Sequence, residues 1–357
     1  MIGSWRLLLA LLVVCAHLFN PWWPGAMAVF SFYTISGFLM TLILHEQYSF
    51  SGGGLRAFWT NRVLRIYPPY YFAGAVSLVL LVIFGADAVA AINPHLSVPD
   101  TASEVTTNLL IFGLFDWPAD RASLVVPGWT LFIELVHYLL ISLWAGRSRR
   151  TAYVFLALSV AYLVVVYVFL GGNFGFRYLI PPAGSLPFAV GVVLYFHKDA
   201  VARGVAQVGW GKAFAFAAVG YAGVFAAGAM AEDPLGMLLY INVFTSALLL
   251  GVLWQEPVSR FARFDKALGD LSYPTYLLHW QAGVLVVLLT GLALKSLAAF
   301  ALSVGVVLLL SMAEQRLISR PVEKWRRAVK GAQRATTAVP LAEPVTGASV
   351  AVRETTG

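Results

Sequence analysis

One cysteine, Cys15, serves the whole chain and lies within an apolar run, which leaves no disulfide framework, thiolate metal cluster or redox pair. Charge is scarce as well. Asp, Glu, Lys and Arg make up 11% of the 357 residues, where soluble domains carry about 25%. With 60% hydrophobic residues, this excludes an ordinary soluble enzyme and points to a polytopic membrane protein. The net charge of +7 does not imply a nucleic-acid partner, because the basic residues punctuate the hydrophobic runs rather than gather on one polar domain. There is no internal repeat and no phosphate loop: Gly52-Gly53-Gly54 lacks the Lys-Ser/Thr that would follow and reads as a linker.

Apolar runs long enough to cross a bilayer lie near 5–24, 27–46, 68–90, 128–145, 151–170, 178–197, 213–231, 235–254, 272–291 and 296–315, about ten helices at roughly 20 residues each. The sixth is interrupted by Pro181, Pro182 and Pro187, so a kink is expected there. With the N-terminus inside, only Arg121, Arg177 and Lys295 of the 24 Lys and Arg fall in outer segments. That asymmetry predicts an all-α membrane protein with both termini cytoplasmic. Residues 1–330 then form one membrane domain, and 331–357, small and polar without periodicity, a disordered cytoplasmic tail. Val14-Cys15-Ala16 also imitates a signal-peptide cleavage site; cutting there would discard Arg6 and leave His17 at the new terminus. The outer segment 91–127 reads either as a short amphipathic lid or as a plain loop.

The first run carries Arg6 and His17 with only apolar residues at 7–16 between them. Eleven positions at about 100° each bring both side chains to nearly one helix face, about 16 Å apart along the axis. This is either a line from the cytoplasmic edge to a buried reaction point, or an orienting arginine and a packed histidine. Ionisable groups within spans cost on the order of 2.5–3.5 kcal/mol at mid-membrane and usually face a cavity or a partner. The clear cases are His17, Glu134, His137 and His279. His17 and Glu134 both fall in the outer half, so the carboxylate is expected to orient the imidazole as a general base. A Glu–His pair that merely locks two helices is the other reading. His137, three residues after Glu134, is an auxiliary candidate for base or partner; His279 either lines the donor path or is a satisfied core histidine. Arg62 and Arg65, three apart, share a face suited to gripping phosphate oxygens, unless they are simply positive-inside anchors. Ser36-Gly37-Phe38 predicts close helix packing around a small residue.

In order along the chain, Arg6 with ten residues before His17, Ile35-Ser36-Gly37-Phe38-Leu39, Asn61-Arg62-Val63-Leu64-Arg65-Ile66-Tyr67-Pro68, Trp129-Thr130-Leu131-Phe132-Ile133-Glu134 and Ser272-Tyr273-Pro274-Thr275-Tyr276-Leu277-Leu278-His279 resemble the signatures of acyltransferase family 3, over about residues 4–330. The resemblance implies a membrane O-acyltransferase of the bacterial inner membrane. It would move an acyl group, usually acetyl, from cytoplasmic acyl-CoA to a hydroxyl of a surface or exported polysaccharide, lipopolysaccharide or glycolipid. It makes His17 the catalytic histidine, Glu134 its partner, and Arg6, Arg62 and Arg65 the acyl-CoA side. Trp129 is expected to stack on the acceptor sugar or to anchor at the interface. Thr130 stands where serine is common, and His137 where an aromatic is common. No tightly bound cofactor or metal is implied; the partners would be acyl-CoA, the glycan, the bilayer and polysaccharide-assembly proteins. Two readings of other classes remain: a transporter or flippase for a lipid-linked saccharide using a His/Glu proton relay, and a scaffold for polysaccharide assembly.

Overall fold

A computed structural model describes residues 1–114, 122–257 and 261–337. Among these the only β feature is an isolated bridge between Leu96 and Ser123. The helices are α1 (Ile2–Leu18), α2 (Trp23–Ile43), α3 (Gly52–Phe84), α4 (Ala86–Ala90), α5 (Ala102–Leu110), α6 (Gly128–Leu140), α7 (Arg149–Phe169), α8 (Ser185–Val208), α9 (Trp210–Met230), α10 (Met237–Trp254), α11 (Ala262–Thr290), α12 (Leu297–Glu314) and α13 (Arg320–Thr337). Single π turns extend α2 through Tyr48 and α6 through Ala145, and join α12 to α13 over Gln315–Ser319. α13 passes the boundary expected at Lys330 and stays helical to Thr337, while the rest of the expected tail, 338–357, lies outside the described residues.

Seven of the described helices are long and apolar enough to cross a membrane, and α1 is a shorter apolar helix. α8 and α11 miss that criterion; α11 covers the run expected at 272–291, while α8 covers only 185–197 of the sixth run, which opens on a π turn, Gly175–Leu179, and a 3-10 turn, Pro181–Gly184, where a kink was expected. α8 carries Lys198, Asp199 and Arg203, and α11 combines Arg263, Asp265, Lys266 and Asp270 at one end with Tyr273, Tyr276, His279 and Gln281 along its buried length. A helix enclosed by others need not be apolar all round.

α2 is the central staff of the bundle: 78% of its span is buried, against 22% for α7 and for α9. Its small residues let neighbours approach to backbone contact. A Cβ on Gly37 would stand 2.2 Å from the carbonyl oxygen of Phe188 on α8, and one on Gly191 would meet Thr34 O at 2.2 Å, so glycines on both helices make the α2–α8 contact. α1 lies against α11 in the same way, with a Gly269 Cβ position 2.7 Å from Gly3 Cα. Pro274 in α11 cannot bond the carbonyl of Asp270, and Gln315 Nε2 takes that oxygen at 2.7 Å.

In the 91–127 region, where a lid or a loop was expected, α5 is a helix capped by Thr101 and standing against the middle of α3. Its last carbonyls have no partner within the helix. Thr107 O accepts from Ile111 N, and the hydroxyls of Tyr70, Tyr71 and Tyr67 donate to the oxygens of Asn108, Leu109 and Leu110 at 2.9, 2.8 and 2.6 Å. Val105, Leu109, Leu110 and Phe112 point outward. A helix end finished by side chains in this way needs no water, as apolar surroundings demand.

Candidate active site

The interior holds a cavity of about 290 Å³ where α1, α2, α3, α6, α11 and α13 converge. α6 begins behind Pro127, with Gly128 fitted against Leu114 and Tyr70, and Thr130 Oγ1 donating to Pro127 O at 2.8 Å. From there Thr130, Glu134 and Tyr138, at i, i+4 and i+8, face the cavity together. α3 contributes Arg62 and Arg65, one turn apart, and α1 contributes Arg6. Arg326 and Lys330 of α13 close the basic end, and Phe32 of α2 with Tyr276 of α11 lie on its wall.

Among the described residues, Arg6, Arg62 and Arg65 make no ion pair. Arg62 is 6% exposed, its Nε has no hydrogen-bond partner, and NH1 reaches the Met40 sulfur, a weak acceptor, at 3.7 Å. Guanidinium groups buried without carboxylate partners are costly and mark a place for an anionic or carbonyl-rich guest. The one acid on the cavity wall, Glu134, accepts from Ser36 Oγ at 2.8 Å and from the Tyr138 hydroxyl.

The expected contact between His17 and Glu134 is not made. α2 stands between α1 and α6, and its Ser36 takes the carboxylate. His17, in the last turn of α1, instead meets α11, with Nδ1 3.0 Å from His279 Nε2. His279 Nδ1 lies 2.7 Å from the carbonyl oxygen of Tyr276, which can only accept, so Nδ1 carries the proton. With that ring neutral, its Nε2 accepts and His17 Nδ1 is the donor. This leaves His17 Nε2 unprotonated, the state a general base requires. His17 is half-buried, beside Trp280. It does not line the cavity, whose wall on that side includes Tyr276 hydrogen-bonded to Thr130 Oγ1 at 2.7 Å.

His279 likewise lies off the cavity: it holds His17 rather than lining a path. His137 is also away from it, buried at 1% exposure, bonded to Ile133 O at 2.8 Å and stacked on Phe188 with centroids 4.3 Å apart. Trp129, in the first turn of α6, stands edge-on to Tyr178 at 5.4 Å and is not on the cavity wall. Sequence reasoning missed Ser36 and Tyr138 as the partners of Glu134, Tyr276 as the link to His279, and Arg326 and Lys330 at the basic end. Tyr138 was within reach, four residues after Glu134 on the same face. Among the described residues no group of His, Cys, Asp and Glu is placed to hold a metal ion.

A family model described as an acyltransferase domain, that of acyltransferase family 3, matches residues 2–313. No curated protein and no solved structure matches.

Proposed function

Since the chain belongs to acyltransferase family 3 and is a multi-pass membrane acyltransferase, we propose that it transfers an acyl group, acetyl in the first instance, from cytoplasmic acyl-CoA to a hydroxyl of a cell-surface or exported polysaccharide or glycolipid. In this reading the ten apolar runs all cross the bacterial inner membrane with both termini in the cytoplasm, and the end of the cavity lined by Arg326 and Lys330 faces the cytoplasm. The observation that carries it is that Arg6, Arg62 and Arg65 on the cavity wall make no ion pair among the described residues, and that a basic pocket adjoins the cavity at Arg65, Arg326 and Lys330. An anionic donor with a slender thioester arm matches that charge and shape.

The donor's arm enters past Arg65 and extends between Arg6, Arg62 and Glu134. The Glu134 carboxylate retains lone pairs beyond those given to Ser36 and Tyr138, and accepts an amide N–H of the arm. The cavity ends short of His17, so the Thr130–Tyr276 hydrogen bond parts to admit the thioester. His17 Nε2 takes the proton from the acceptor hydroxyl as that oxygen bonds to the thioester carbonyl carbon. The C–S bond then breaks, and the thiolate leaves as CoA thiol with the proton held on the imidazolium. His279 is the positioning partner that keeps His17 in the reactive tautomer, the part first assigned to Glu134. General-base help of this kind contributes about 10²–10⁴-fold. Purified protein given labelled acetyl-CoA and glycan tests the reading. Label in an ester on the glycan supports it, whereas solute movement across vesicles without label transfer overturns it in favour of a transporter.

A further inference from the structure

Beneath the reaction cavity lies a second, larger one of about 770 Å³, and the two share Arg65, Tyr273, Arg326 and Lys330. The two cavities are neighbours, with those four residues forming the wall between them. Eight of the residues lining the larger basin are Lys or Arg, and two, Asp270 and Glu323, are acidic. Lys266 pairs with Asp270, and Arg326 and Arg327 share Glu323. Arg263, Arg316 and Arg320 have no ion pair among the described residues and remain as free cations around the basin.

The basin is built rather than incidental. α13 is fastened across α3 by a reciprocal pair: Asn61 Nδ2 donates to Arg326 O at 2.9 Å, and Arg326 Nε donates to Asn61 Oδ1 at 2.9 Å. Glu323 holds the other side of the Arg326 guanidinium at 2.5 Å. At the opposite wall the π turn Gln315–Ser319 places Arg316 four residues before Arg320. That turn is tied down by Gln315 Nε2 on Asp270 O and by Ser319 Oγ on the buried Glu314 at 2.7 Å. Single π turns of this sort recur where a helix must aim side chains for function.

We infer that the basin between the π turn and α13 holds the phosphorylated nucleotide end of the acyl donor, with Arg316 and Arg320 binding its phosphates and Arg65 with Arg326 at the shared wall where the arm turns inward. This rests on the acyl-CoA reading given above. At 290 Å³ the reaction cavity falls just below the range of about 300–1,000 Å³ usual for small-molecule sites, so it takes the arm and not the nucleotide. The larger basin has the room, and guanidinium groups grip phosphate oxygens two at a time. Arg6 and Arg62, on the wall of the inner cavity only, then serve the thioester end rather than the phosphates.

The test uses the full-length protein in phosphatidylcholine nanodiscs and compares the wild type with the double variants Arg316→Gln/Arg320→Gln and Arg316→Lys/Arg320→Lys. Adenosine 3′,5′-bisphosphate binding is expected to weaken at least about ten-fold in the Gln variant, with recovery in the Lys variant. The preference of kcat/KM for acetyl-CoA over S-acetylpantetheine is expected to collapse by a similar factor. Unchanged bisphosphate binding and unchanged preference in the Gln variant overturn the basin assignment. So does a difference between the proteins that appears only when phosphatidylglycerol is added, which gives the basin to lipid headgroups. A wild type that binds neither CoA nor the bisphosphate overturns the donor reading itself.

Discussion

Nδ1 of His17 lies 3.0 Å from Nε2 of His279, and the two rings run within 11° of parallel with centroids 4.9 Å apart. The pair joins the end of α1 to the middle of α11 and fixes which nitrogen of His17 is free. Replacing His279 by alanine is expected to lower kcat by about ten-fold or more while leaving KM for acyl-CoA near its wild-type value. His279→Gln, whose amide oxygen can accept from His17 Nδ1, is expected to recover part of the loss. A purely structural role would move thermal stability but not give this split between kcat and KM.

In the proposed mechanism the Thr130–Tyr276 hydrogen bond, 2.7 Å long on the cavity wall, is the gate between the cavity and His17. Tyr276→Phe removes the hydroxyl and keeps the ring. Thioester hydrolysis without acceptor, followed by release of free thiol, is expected to rise several-fold in this variant, because the gate no longer holds water apart from the donor. Hydrolysis equal to that of the wild type would mean that this contact is not the gate.

Much of the fold was legible because long apolar runs announce helices: seven of the described helices are long and apolar enough to cross a membrane, although α3 starts at Gly52, in the stretch read as a linker, and not near 68. The close packing expected at Gly37 is there for the reason expected, a glycine where no Cβ fits. The pairing of His17 with Glu134 was not legible. Helical spacing says which side chains share a face, but not which neighbouring helix that face meets, and α2 came between. The basic C-terminal run counted only as a topology signal, since nothing in its composition shows that Asn61 fastens it across the cavity mouth. α11 showed only in part, as the run 272–291: charged residues in its first turns, and Tyr, Pro, His and Gln beyond them, dilute the hydropathy of the helix that carries Tyr276 and His279.

The backbone contact between α2 and α8 gives a stability prediction. Gly37→Ala forces a Cβ to within 2.2 Å of Phe188 O, and the shift needed is expected to cost about 1–3 kcal/mol. Gly305, on α12, has nothing within 4 Å of its Cβ position, so Gly305→Ala is expected to be neutral or mildly stabilising. Thermal unfolding of the two variants in the same detergent compares them directly.

Acid sensitivity should trace to the start of the chain. Burial alone would raise the Asp265 carboxyl, but hydrogen bonds from Ser4 Oγ, Ser4 N and Gly3 N, at 2.6, 2.8 and 2.9 Å, outweigh it and hold the group below the ordinary aspartate value. A depressed carboxyl stabilises the fold fully above its unfolded value of about 3.9, and that contribution is lost as pH falls through the folded value. Asp265→Asn is therefore expected to be less stable than the wild type at neutral pH, with the difference shrinking below about pH 4. Melting temperatures measured across that range check the sign.

The most direct test of the account is transfer of labelled acetyl from acetyl-CoA to glycan by purified wild-type and His17→Ala protein, with CoA binding measured on the same samples. The account predicts a fall of about 10²–10⁴-fold in transfer with CoA binding kept. Transfer at the wild-type rate by His17→Ala would contradict it.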